Sequence, residues 1–499
     1  MSMSYFLSFD VGTTSMKCLL FDEKFNEVFF EEREYKLFTP QKNIVELNPD
    51  IYYHTLCECV KNLLSSGIDK EDIKSITMTT QGETLIPIDE NGNALRNAIV
   101  WIDARAEKES EYINSKIDVD AFYRKTGLGE INGALPSAKL LWIYKNEPQI
   151  YKSTYKFLLL EDFLIYKLTG MAVTEPSLLS STGYYDIVNE TYFDEMLSIC
   201  SVEKGKLPDI VPCGTKVGTL TEKAVVETGL SKNTVVVTGA MDQVSSAIGA
   251  GNIESGIVTE TTGTALVVGV TAEKPDFNNP SKITIYKHFD HNFLYMPYTN
   301  TAGIVLKWFR DTFLSDLKKR AKEQGVSAYK LIDELAQSSP AGSNGIVTLP
   351  HFAGKTGIER AKGVIYGINL STALSDIVRS VLESIGCMLF ELISEIEKMG
   401  VDVCEIRSLG GGGASDIWCE IKAGITSKKI MRTTYVQTTA LGAAILGSVA
   451  IGTYDTVKDA LCVASLKYDE FLPKSEDVSL YKQTYDKYKE LYDALKIVF

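Results

Sequence analysis

The fold of this chain is decided by residues 7–20, Leu-Ser-Phe-Asp-Val-Gly-Thr-Thr-Ser-Met-Lys-Cys-Leu-Leu, and by residues 257–269, Ile-Val-Thr-Glu-Thr-Thr-Gly-Thr-Ala-Leu-Val-Val-Gly. Each stretch is an apolar strand, a tight turn of glycine and threonine, and a second apolar strand, which predicts a β-hairpin. Gly12 and Gly263 lie half a chain apart, so the pair indicates a duplicated domain.

The two turns have the composition of a phosphate site. Glycine and threonine offer accessible backbone N–H groups and hydroxyls, which suit phosphate oxygens. Either stretch alone could be an ordinary hairpin. The pair, with Asp10 leading the first turn, favours a nucleotide clamped from both sides.

Composition excludes several classes of protein. The chain has 499 residues, 45% hydrophobic and 23% charged, with a formal net charge of −14, which indicates a folded protein of two or three domains. The negative charge argues against a nucleic-acid or acidic-membrane partner, because such surfaces concentrate Lys and Arg. An anionic nucleotide would then be bound by local backbone donors, a few cations and Mg²⁺.

Cysteine usage and the apolar segments point to the cytoplasm. The nine cysteines are an odd number scattered through apolar segments, as in a reduced cytoplasmic protein. The four histidines form no zinc-ligand spacing. We expect no signal peptide, and no segment reaches the roughly 18 apolar residues of a membrane span.

The second half of the chain repeats the order of the first. A predicted strand at 406–409 corresponds to one at 73–76, and a helix start at 438–447 corresponds to 242–251. No linker of Pro, Ser or charge separates the halves, so the boundary near residue 250 rests on the repeat itself. The sequence predicts domains 1–250 and 251–499.

Three motifs at strand ends carry candidate chemistry. Asp10 could hold Mg²⁺ or be a turn aspartate. Four glycines at 410–413 could lie against adenine and ribose or form a flexible turn. Asp242 closes an apolar strand and opens a helix, so it is either an N-cap or a base that takes a proton from a substrate hydroxyl.

Two further polar segments offer hydroxyl recognition. They are Gln81-Gly82-Glu83 and Trp101-Ile-Asp103-Ala-Arg105. Taken alone, both are unexceptional as solvated loops.

Together these motifs resemble the FGGY carbohydrate kinases of the actin, Hsp70 and sugar-kinase superfamily. The resemblance runs from Phe6 to about Gly452, with the motifs in matching order. Pro136-Ser-Ala-Lys139-Leu-Leu-Trp142 matches the family's Lys-x-x-Trp signature. Residues 348–354 and 363–367 resemble its second signature, although the loop between them is short.

The resemblance implies an α/β fold of two actin-like ATPase (ribonuclease H-like) domains around a hinged cleft. The first domain would hold the sugar and the first phosphate loop, and the second the rest of the nucleotide. It implies an ATP- and Mg²⁺-dependent sugar kinase in which Asp242 is the general base and Asp10 helps to hold the metal. The partners would be a small sugar and ATP, without nucleic acid or membrane, and a homodimer is left open.

The resemblance also assigns the binding residues. Those for the sugar are Gln81, Gly82, Glu83, Trp101, Asp103, Asp242 and Gln243. Those for ATP are Gly12, Thr13, Thr14, Lys17, Thr262, Gly263, Thr264, Gly303, Lys307, Gly411, Gly412, Gly413 and Asp416.

The sugar end departs from well-known members. Glycerol kinases usually have Gln-Arg-Glu-Thr where this chain has Gln81-Gly82-Glu83-Thr84. Their substrate-binding tyrosine, ahead of the Lys-x-x-Trp signature, is replaced here by Ala134. Xylulose kinases usually have Gln-Met-His-Gly there, and commonly Asp-Asn where this chain has the glycerol-type pair Asp242-Gln243. The smaller residues favour a ketopentose or a polyol larger than glycerol.

Two functions from other classes share the nucleotide motifs. An actin- or Hsp70-like ATPase acting on a protein would not need polar groups at 81–83 and 101–103. A sugar-sensing regulator would normally carry a basic DNA-binding segment, and none is visible in the sequence.

Overall fold

A computed structural model describes residues 4–352, 354 and 360–499. These residues form two compact units. The first contains the chain up to Ile253, Glu273–Leu294 and Gln437–Leu466, and the second contains Glu254–Ala272, Tyr295–Val436 and Lys467–Phe499. The chain first passes from one unit to the other beside residue 250; the division into domains 1–250 and 251–499 stays a prediction.

The first unit is built on a mixed sheet that contains the predicted hairpin. Its strands lie in the order Lys216–Thr219, Val235–Val237, Ile73–Thr80, Tyr5–Val11, Ser15–Phe21 and Glu27–Glu34. Ile73–Thr80 is parallel to both Tyr5–Val11 and Val235–Val237, while the remaining pairs are antiparallel. Strand Tyr5–Val11 is buried throughout except at Asp10. The acid therefore stands at the end of a core strand.

The second unit repeats this topology. Hairpin Ile257–Thr262 and Leu266–Ala272 lies beside the parallel strands Glu405–Leu409 and Lys429–Thr433, and Tyr468–Phe471 closes the edge in the antiparallel sense. Each sheet thus has a hairpin, two parallel strands and an antiparallel edge strand in the same order. The predicted internal duplication is confirmed at the level of the sheet.

The remaining strands are short. The first unit has an antiparallel sheet of Phe38–Gln41, Ile44–Leu47, Ala98–Ile99, Leu85–Ile88 and Lys156–Leu159. Short strands are Val173–Thr174, Tyr185–Asp186, Thr191–Tyr192, Asp209–Ile210, Ile285–Lys287, Phe293–Tyr295, Tyr298–Thr299, Val347–Leu349 and Val364–Tyr366.

Helices cover the sheets. In the first unit they are Pro49–Ser65, Glu107–Asn114, Val119–Thr126, Pro136–Asn146, Pro148–Ser153, Leu160–Thr169, Pro176–Leu179, Asp194–Ile199, Glu222–Thr228, Asp242–Gly249, Thr438–Ala450 and Val457–Ala464. In the second they are Gly303–Phe313, Ser315–Gln324, Ala328–Gln337, Leu374–Lys398, Gly410–Gly413, Asp416–Thr426 and Ser475–Leu495. Lys70–Asp72, Lys204–Lys206 and Ser343–Gly345 are single 3₁₀ turns.

Two glycine-rich helices pack closely in the first unit. A Cβ added at Gly249 would lie 1.9 Å from the carbonyl oxygen of Thr438, and one added at Gly442 would lie 1.9 Å from that of Ser245. Helix Thr438–Ala450, although late in the chain, therefore belongs to the first unit and packs directly against helix Asp242–Gly249.

Membrane insertion finds no support in the helices. Among the residues that the structure describes, none belongs to a helix with both the length and the apolar content of a bilayer span.

Candidate active site

The turn of the first hairpin is held in place by a tyrosine. Gly12 N–H donates to the carbonyl oxygen of Ser15 over 2.9 Å, closing the turn. The Tyr35 hydroxyl donates to the carbonyl oxygen of Gly12 and lies 3.1 Å from that of Ser15. The side chain of Thr14 is exposed at the tip. The turn is thus fixed from inside while its threonine faces outward.

Thr13 connects the predicted phosphate and sugar segments. The indole N–H of Trp101 donates to Thr13 Oγ1 over 2.8 Å. The Trp101 side chain is 39% exposed, so one of its faces is open. The structure therefore brings the loop 101–103 next to the first hairpin, as the prediction of one shared site requires.

Asp10 and Lys17 face each other across the hairpin. Lys17 Nζ lies 3.7 Å from Asp10 Oδ2. Burial raises the pKa of Asp10, and the charge of Lys17 opposes that rise. The two side chains lie on opposite strands at paired positions, which puts one acid and one base beside the turn.

Asp242 is the first residue of helix Asp242–Gly249, and its N-cap is Met241. Asp242 Oδ1 accepts a hydrogen bond from Gln243 N–H over 2.6 Å. Burial, followed by the negative charge of Asp10, raises the pKa of Asp242 to about 7, and Glu83 adds to the rise. The carboxyl group is therefore surrounded by other acids and is poised to exchange a proton near neutral pH.

The segment in front of Asp242 is held by three side chains. Glu161 Oε1 accepts from Gly239 N–H over 2.7 Å, and Ser177 Oγ accepts from Met241 N–H over 2.9 Å. Thr79 Oγ1 donates to the carbonyl oxygen of Ala240 over 2.7 Å. Each of residues 239–241 thus has a backbone group fixed by the fold, which sets the position of Asp242.

Two buried acids behind this segment were missed by the sequence analysis. Glu175 accepts from Ser177 Oγ over 2.7 Å and from Cys213 Sγ over 2.7 Å, and so orients the serine that holds Met241. Burial raises the pKa of both Glu161 and Glu175. The only sequence signal was an acid inside an apolar run, Leu-Leu-Leu-Glu161, which does not distinguish a buried acid from an exposed one.

Gln81 and Glu83 lie at the end of the central strand. Gln81 is 4% exposed, its amide donates to the Tyr52 hydroxyl over 3.2 Å, and its Oε1 has no partner among the described residues. Glu83 adopts a φ of 49°, and burial raises its pKa to about 6 while Lys139 opposes the rise. A buried amide oxygen without a partner among the described residues and a half-buried carboxyl group thus lie at the end of this strand.

The space beside Gly82 is smaller than the sequence suggested. A Cβ added at Gly82 would lie 3.0 Å from Ser181 Oγ and 3.4 Å from Met241 Sδ. The loss of an arginine side chain at this position therefore does not by itself leave an empty pocket, because Ser181 and Met241 fill the space next to the backbone.

Asp103 takes part in an internal ion pair rather than facing a ligand. It is fully buried, and Arg105 Nη2 lies 2.7 Å from its Oδ2 while Arg105 Nε lies 2.9 Å from its Oδ1. Val45 N–H donates to the same Oδ2 over 2.6 Å. With both oxygens occupied, the geometry favours a supporting role for Asp103 over the predicted contact with sugar.

The Lys-x-x-Trp signature contacts the loop at residue 83 and the loop at 100–105. The fully buried Lys139 donates to the carbonyl oxygens of Glu83 and Val100, each over 3.0 Å. Burial lowers the pKa of Lys139 to about 7, against the opposing charge of Glu83. The guanidinium of Arg105 lies 5.0 Å from the ring centre of Trp142. The signature thus connects the loop at 83 to the loop at 100–105.

The second hairpin presents its tip in a similar way. Gly263 and Thr264 are exposed, whereas Thr262 is buried and donates to Glu260 Oε2 over 2.7 Å. A Cβ added at Gly263 would meet no described atom within 4 Å. One added at Gly303 would lie 2.3 Å from the carbonyl oxygen of Gly263. Gly303 is therefore required by packing, while Gly263 leaves space for an incoming group.

The glycine run differs from the loop that the sequence predicted. Residues Gly410–Gly413 form one helical turn shortly before helix Asp416–Thr426. Gly412 and Gly413 pack against Thr262 and Ser408 too closely for any Cβ. Gly411 is exposed, with no described atom within 4 Å of an added Cβ. Asp416 and Lys307 are also exposed, and Asp416 Oδ1 pairs with Arg432 over 2.5 Å.

A divalent cation fits at Asp10 only together with a phosphate. In the described part of the chain, no three His, Cys, Asp or Glu side chains are grouped to hold a metal alone. Mg²⁺ in nucleotide sites commonly takes one or two carboxylates and fills its remaining positions with phosphate oxygens and water. Asp10 lies in the hairpin that the sequence predicts to bind phosphate, which matches that requirement.

The second family signature is described only in part. Residue 353 and residues 355–359 lie outside the described residues, so the prediction for 348–354 is covered except at 353.

Comparison with known proteins agrees with the motif order. The model for the N-terminal domain of the FGGY family of carbohydrate kinases matches residues 5–249, and the model for its C-terminal domain matches residues 259–451. Solved structures share the fold. A ligand-bound xylulose kinase from Lactobacillus acidophilus has a TM-score of 0.89 at 24% identity, over 99% of this chain and 98% of its own.

Relatives of similar sequence identity are named after different substrates. A xylulose kinase from Staphylococcus xylosus is 27% identical over 98% of this chain and 100% of its own. A gluconokinase from Bacillus licheniformis is 27% identical over 99% and 96%, and a glycerol kinase from Thermococcus gammatolerans is 28% identical over 97% and 97%.

The family models cover most of the chain, and the fold of both units agrees with the solved structures. The protein therefore belongs to the FGGY family of carbohydrate kinases, the ATP-dependent sugar phosphotransferases with the actin-like α/β fold.

Proposed function

We propose that this enzyme transfers the γ-phosphate of ATP to a hydroxyl group of an open-chain ketopentose, with Asp242 as the general base. The observation that carries the proposal is the carboxyl group of Asp242, whose pKa is raised to about 7 by burial and by the charge of Asp10. A general base works best when its pKa lies near the operating pH. Such a group can take the proton of the attacking hydroxyl.

Side chains around Asp242 supply the other parts of the reaction. Asp10 would hold Mg²⁺, which supplies charge neutralisation on the phosphates when it is bound. The unpaired Oε1 of Gln81 and the carboxyl group of Glu83 would accept hydrogen bonds from sugar hydroxyls. Phosphoryl transfer depends mainly on positioning, so these contacts serve to aim the hydroxyl.

Residues at the two hairpin turns would bind the nucleotide. Thr13, Thr14 and Lys17 flank the first turn, while Gly263 and Thr264 form the tip of the second. The backbone at the open Gly263 and Gly411 would approach the nucleotide, because glycine lets a ligand lie against the chain. Lys307 would add a positive charge, and Gly12, Gly303, Gly412 and Gly413 would shape the turns.

Charge favours a neutral sugar over gluconate. The acids Asp10 and Glu83 both raise the pKa of Asp242, which means that the site already concentrates negative charge. A substrate carboxylate would add to this repulsion unless a free cation met it. Lys139 donates to backbone carbonyls and Arg105 is paired with Asp103, so these two cations are engaged.

Size at one position of the sugar end, Ala134, favours a substrate larger than glycerol. Ala134 is half-buried and takes less room than the tyrosine it replaces in the family pattern. Gly82 contributes less, because Ser181 and Met241 occupy the adjacent space. A glycerol or other polyol kinase is the second candidate, and the pair Asp242-Gln243 with Glu83 is the observation in its favour.

A substrate panel tests the proposal. ADP release is measured with pentuloses, hexuloses, glycerol, other polyols and gluconate at saturating MgATP. We expect a pentulose to exceed both glycerol and gluconate by about ten-fold or more in kcat/KM, a difference of about 1.4 kcal/mol in transition-state binding. A ten-fold preference for glycerol or gluconate would overturn the ketopentose assignment. ATP turnover that no sugar changes would instead favour an ATPase acting on a protein.

A further inference from the structure

A fully buried ion pair lies inside the second unit. Lys422 Nζ and Glu260 Oε1 are 2.5 Å apart, and both side chains have no solvent exposure. Glu260 belongs to strand Ile257–Thr262, and Lys422 belongs to helix Asp416–Thr426.

The same two side chains contact both nucleotide loops. Glu260 Oε2 accepts from Thr262 Oγ1 over 2.7 Å, directly before the open Gly263. Lys422 Nζ donates to the carbonyl oxygen of Gly412 over 3.4 Å, within the glycine turn. The acid fixes the hairpin, and the lysine fixes the glycine turn.

Ser408 closes the network between them. Its hydroxyl donates to Glu260 Oε1 and accepts from Lys422 Nζ over 3.2 Å. Ser408 lies in the strand that leads into Gly410. A Cβ added at Gly412 would lie 2.5 Å from Thr262 Cβ, so the loops are also in direct contact.

Stability alone is a poor explanation for such a pair. Removing two charges from water costs several kcal/mol per ion, and well-packed apolar residues of similar volume are often as stable or more so. A fully bonded polar network does, however, define one geometry for the elements that it joins.

We propose that Glu260 and Lys422 are positioning residues that hold the phosphate hairpin and the glycine turn in one fixed arrangement for ATP. The inference rests on the proposed roles of these loops, with phosphates at the hairpin and adenosine at the glycine turn. A ligand that contacts both loops binds with higher affinity when their spacing is fixed, because its second contact becomes intramolecular. A ligand that contacts only one loop gains no affinity from that spacing.

The experiment compares ATP with adenosine. Isothermal titration calorimetry measures both dissociation constants for wild type, Glu260→Gln, Lys422→Met and the double variant Glu260→Gln/Lys422→Met, which leaves no unpaired buried charge. We expect the Kd for ATP to rise about ten-fold or more in the double variant, while the Kd for adenosine changes less than two-fold.

A second buried ion pair in the same unit is the matched control. Arg379 Nε lies 2.9 Å from Glu383 Oε1, and the two side chains are 7% and 1% exposed. Their other partners include Tyr481 and Ser343 rather than either nucleotide loop. Arg379→Met/Glu383→Gln removes the charges of a buried pair in the same unit and should leave the Kd for ATP unchanged.

Ser408→Ala is the mild variant, since it removes only the shared hydroxyl. We expect it to fold and to raise the Kd for ATP several-fold with that for adenosine unchanged. Equal changes for ATP and adenosine, or an unchanged Kd for ATP in folded variants, would overturn the inference. If Gly263→Val also left ATP binding unchanged, the proposed nucleotide site itself would be wrong. If Gly263→Val instead abolished ATP binding, the nucleotide site would stand and only the positioning role of Glu260 and Lys422 would be wrong.

Discussion

At the scale of single residues, the environment of Asp242 makes the stability of the folded protein depend on pH. Its pKa is about 7 in the folded protein, against 3.8 as an ordinary aspartate. The folded state therefore binds its proton more tightly than the unfolded state does. The stability that the neutral acid contributes is complete below pH 3.8 and is lost as the pH rises to about 7.

Asp242→Asn should consequently be more stable than wild type, by a margin that grows with pH. The amide keeps the hydrogen bond from Gln243 N–H and carries no charge to bury. We expect the difference in Tm to increase between pH 5 and pH 8, measured by thermal unfolding. Asp194→Asn is the control, since Asp194 also begins a helix but is 79% exposed. A margin independent of pH would contradict the assignment of this pKa.

Glu83 is predicted to aim the sugar. Glu83→Gln keeps the size of the side chain but weakens its hydrogen bonds to hydroxyl groups, which are stronger to a carboxylate. We expect KM for the sugar to rise and kcat to fall, since a misplaced hydroxyl attacks poorly. KM for ATP should stay within about two-fold by steady-state kinetics. The exposed Glu90→Gln is the control, and a pure loss of ATP affinity in Glu83→Gln would argue against a sugar contact.

Individual residues were the least predictable part of the site from sequence. Asp10 and Asp242 stand out because each follows an apolar strand and precedes a turn or helix. The resemblance assigns Asp103 to the sugar, yet the fold brings Val45 N–H to its carboxylate beside the nearby Arg105, and both oxygens are occupied. Glu161 and Glu175 carry no local pattern that distinguishes a buried acid.

At the scale of secondary structure elements, Gly263 tests the second hairpin. Gly263→Val adds bulk where no described atom lies within 4 Å, so the protein should fold with nearly unchanged Tm. We expect ATP affinity to fall at least ten-fold with sugar affinity within about two-fold, by calorimetry.

Gly218→Val serves as its control. Gly218 is also open to an added Cβ, but it lies in the edge strand Lys216–Thr219. It should leave both affinities unchanged. Loss of sugar binding in Gly263→Val with ATP binding intact would refute the phosphate role of this hairpin.

Strongly patterned elements were predictable for physical reasons. Asn48-Pro49-Asp50 has the composition of a helix start, and in helix Pro49–Ser65 the Asn48 Oδ1 accepts from Asp50 N–H over 3.1 Å. Apolar residues between Ile377 and Met399 recur at helical spacing, which is typical of a helix such as the observed Leu374–Lys398. The glycine run forms a helical turn although glycine disfavours helix, and the close approach of Gly412 to Thr262 and of Gly413 to Ser408 excludes larger residues there.

At the scale of the whole molecule, the duplication explains why so much of the fold was predictable. Two hairpins of similar composition predict two sheets, and in both sheets the hairpin, two parallel strands and an antiparallel edge strand follow in the same order. What the repeat did not reveal is the path of the later chain, since Gln437–Leu466 belongs to the first unit. Long-range packing of glycines at 249 and 442 determines that return, and no local signal encodes it.

The general base is the central claim, and the kinetics of Asp242→Asn test it most directly. Wild-type kcat/KM should rise with pH through about 7 and then level, as the carboxyl group loses its proton. In the folded variant, kcat should fall by roughly 10²–10⁴, with the dissociation constants for ATP and sugar within about two-fold of wild type. Near-normal turnover in folded Asp242→Asn, with the same pH profile as wild type, would contradict the account.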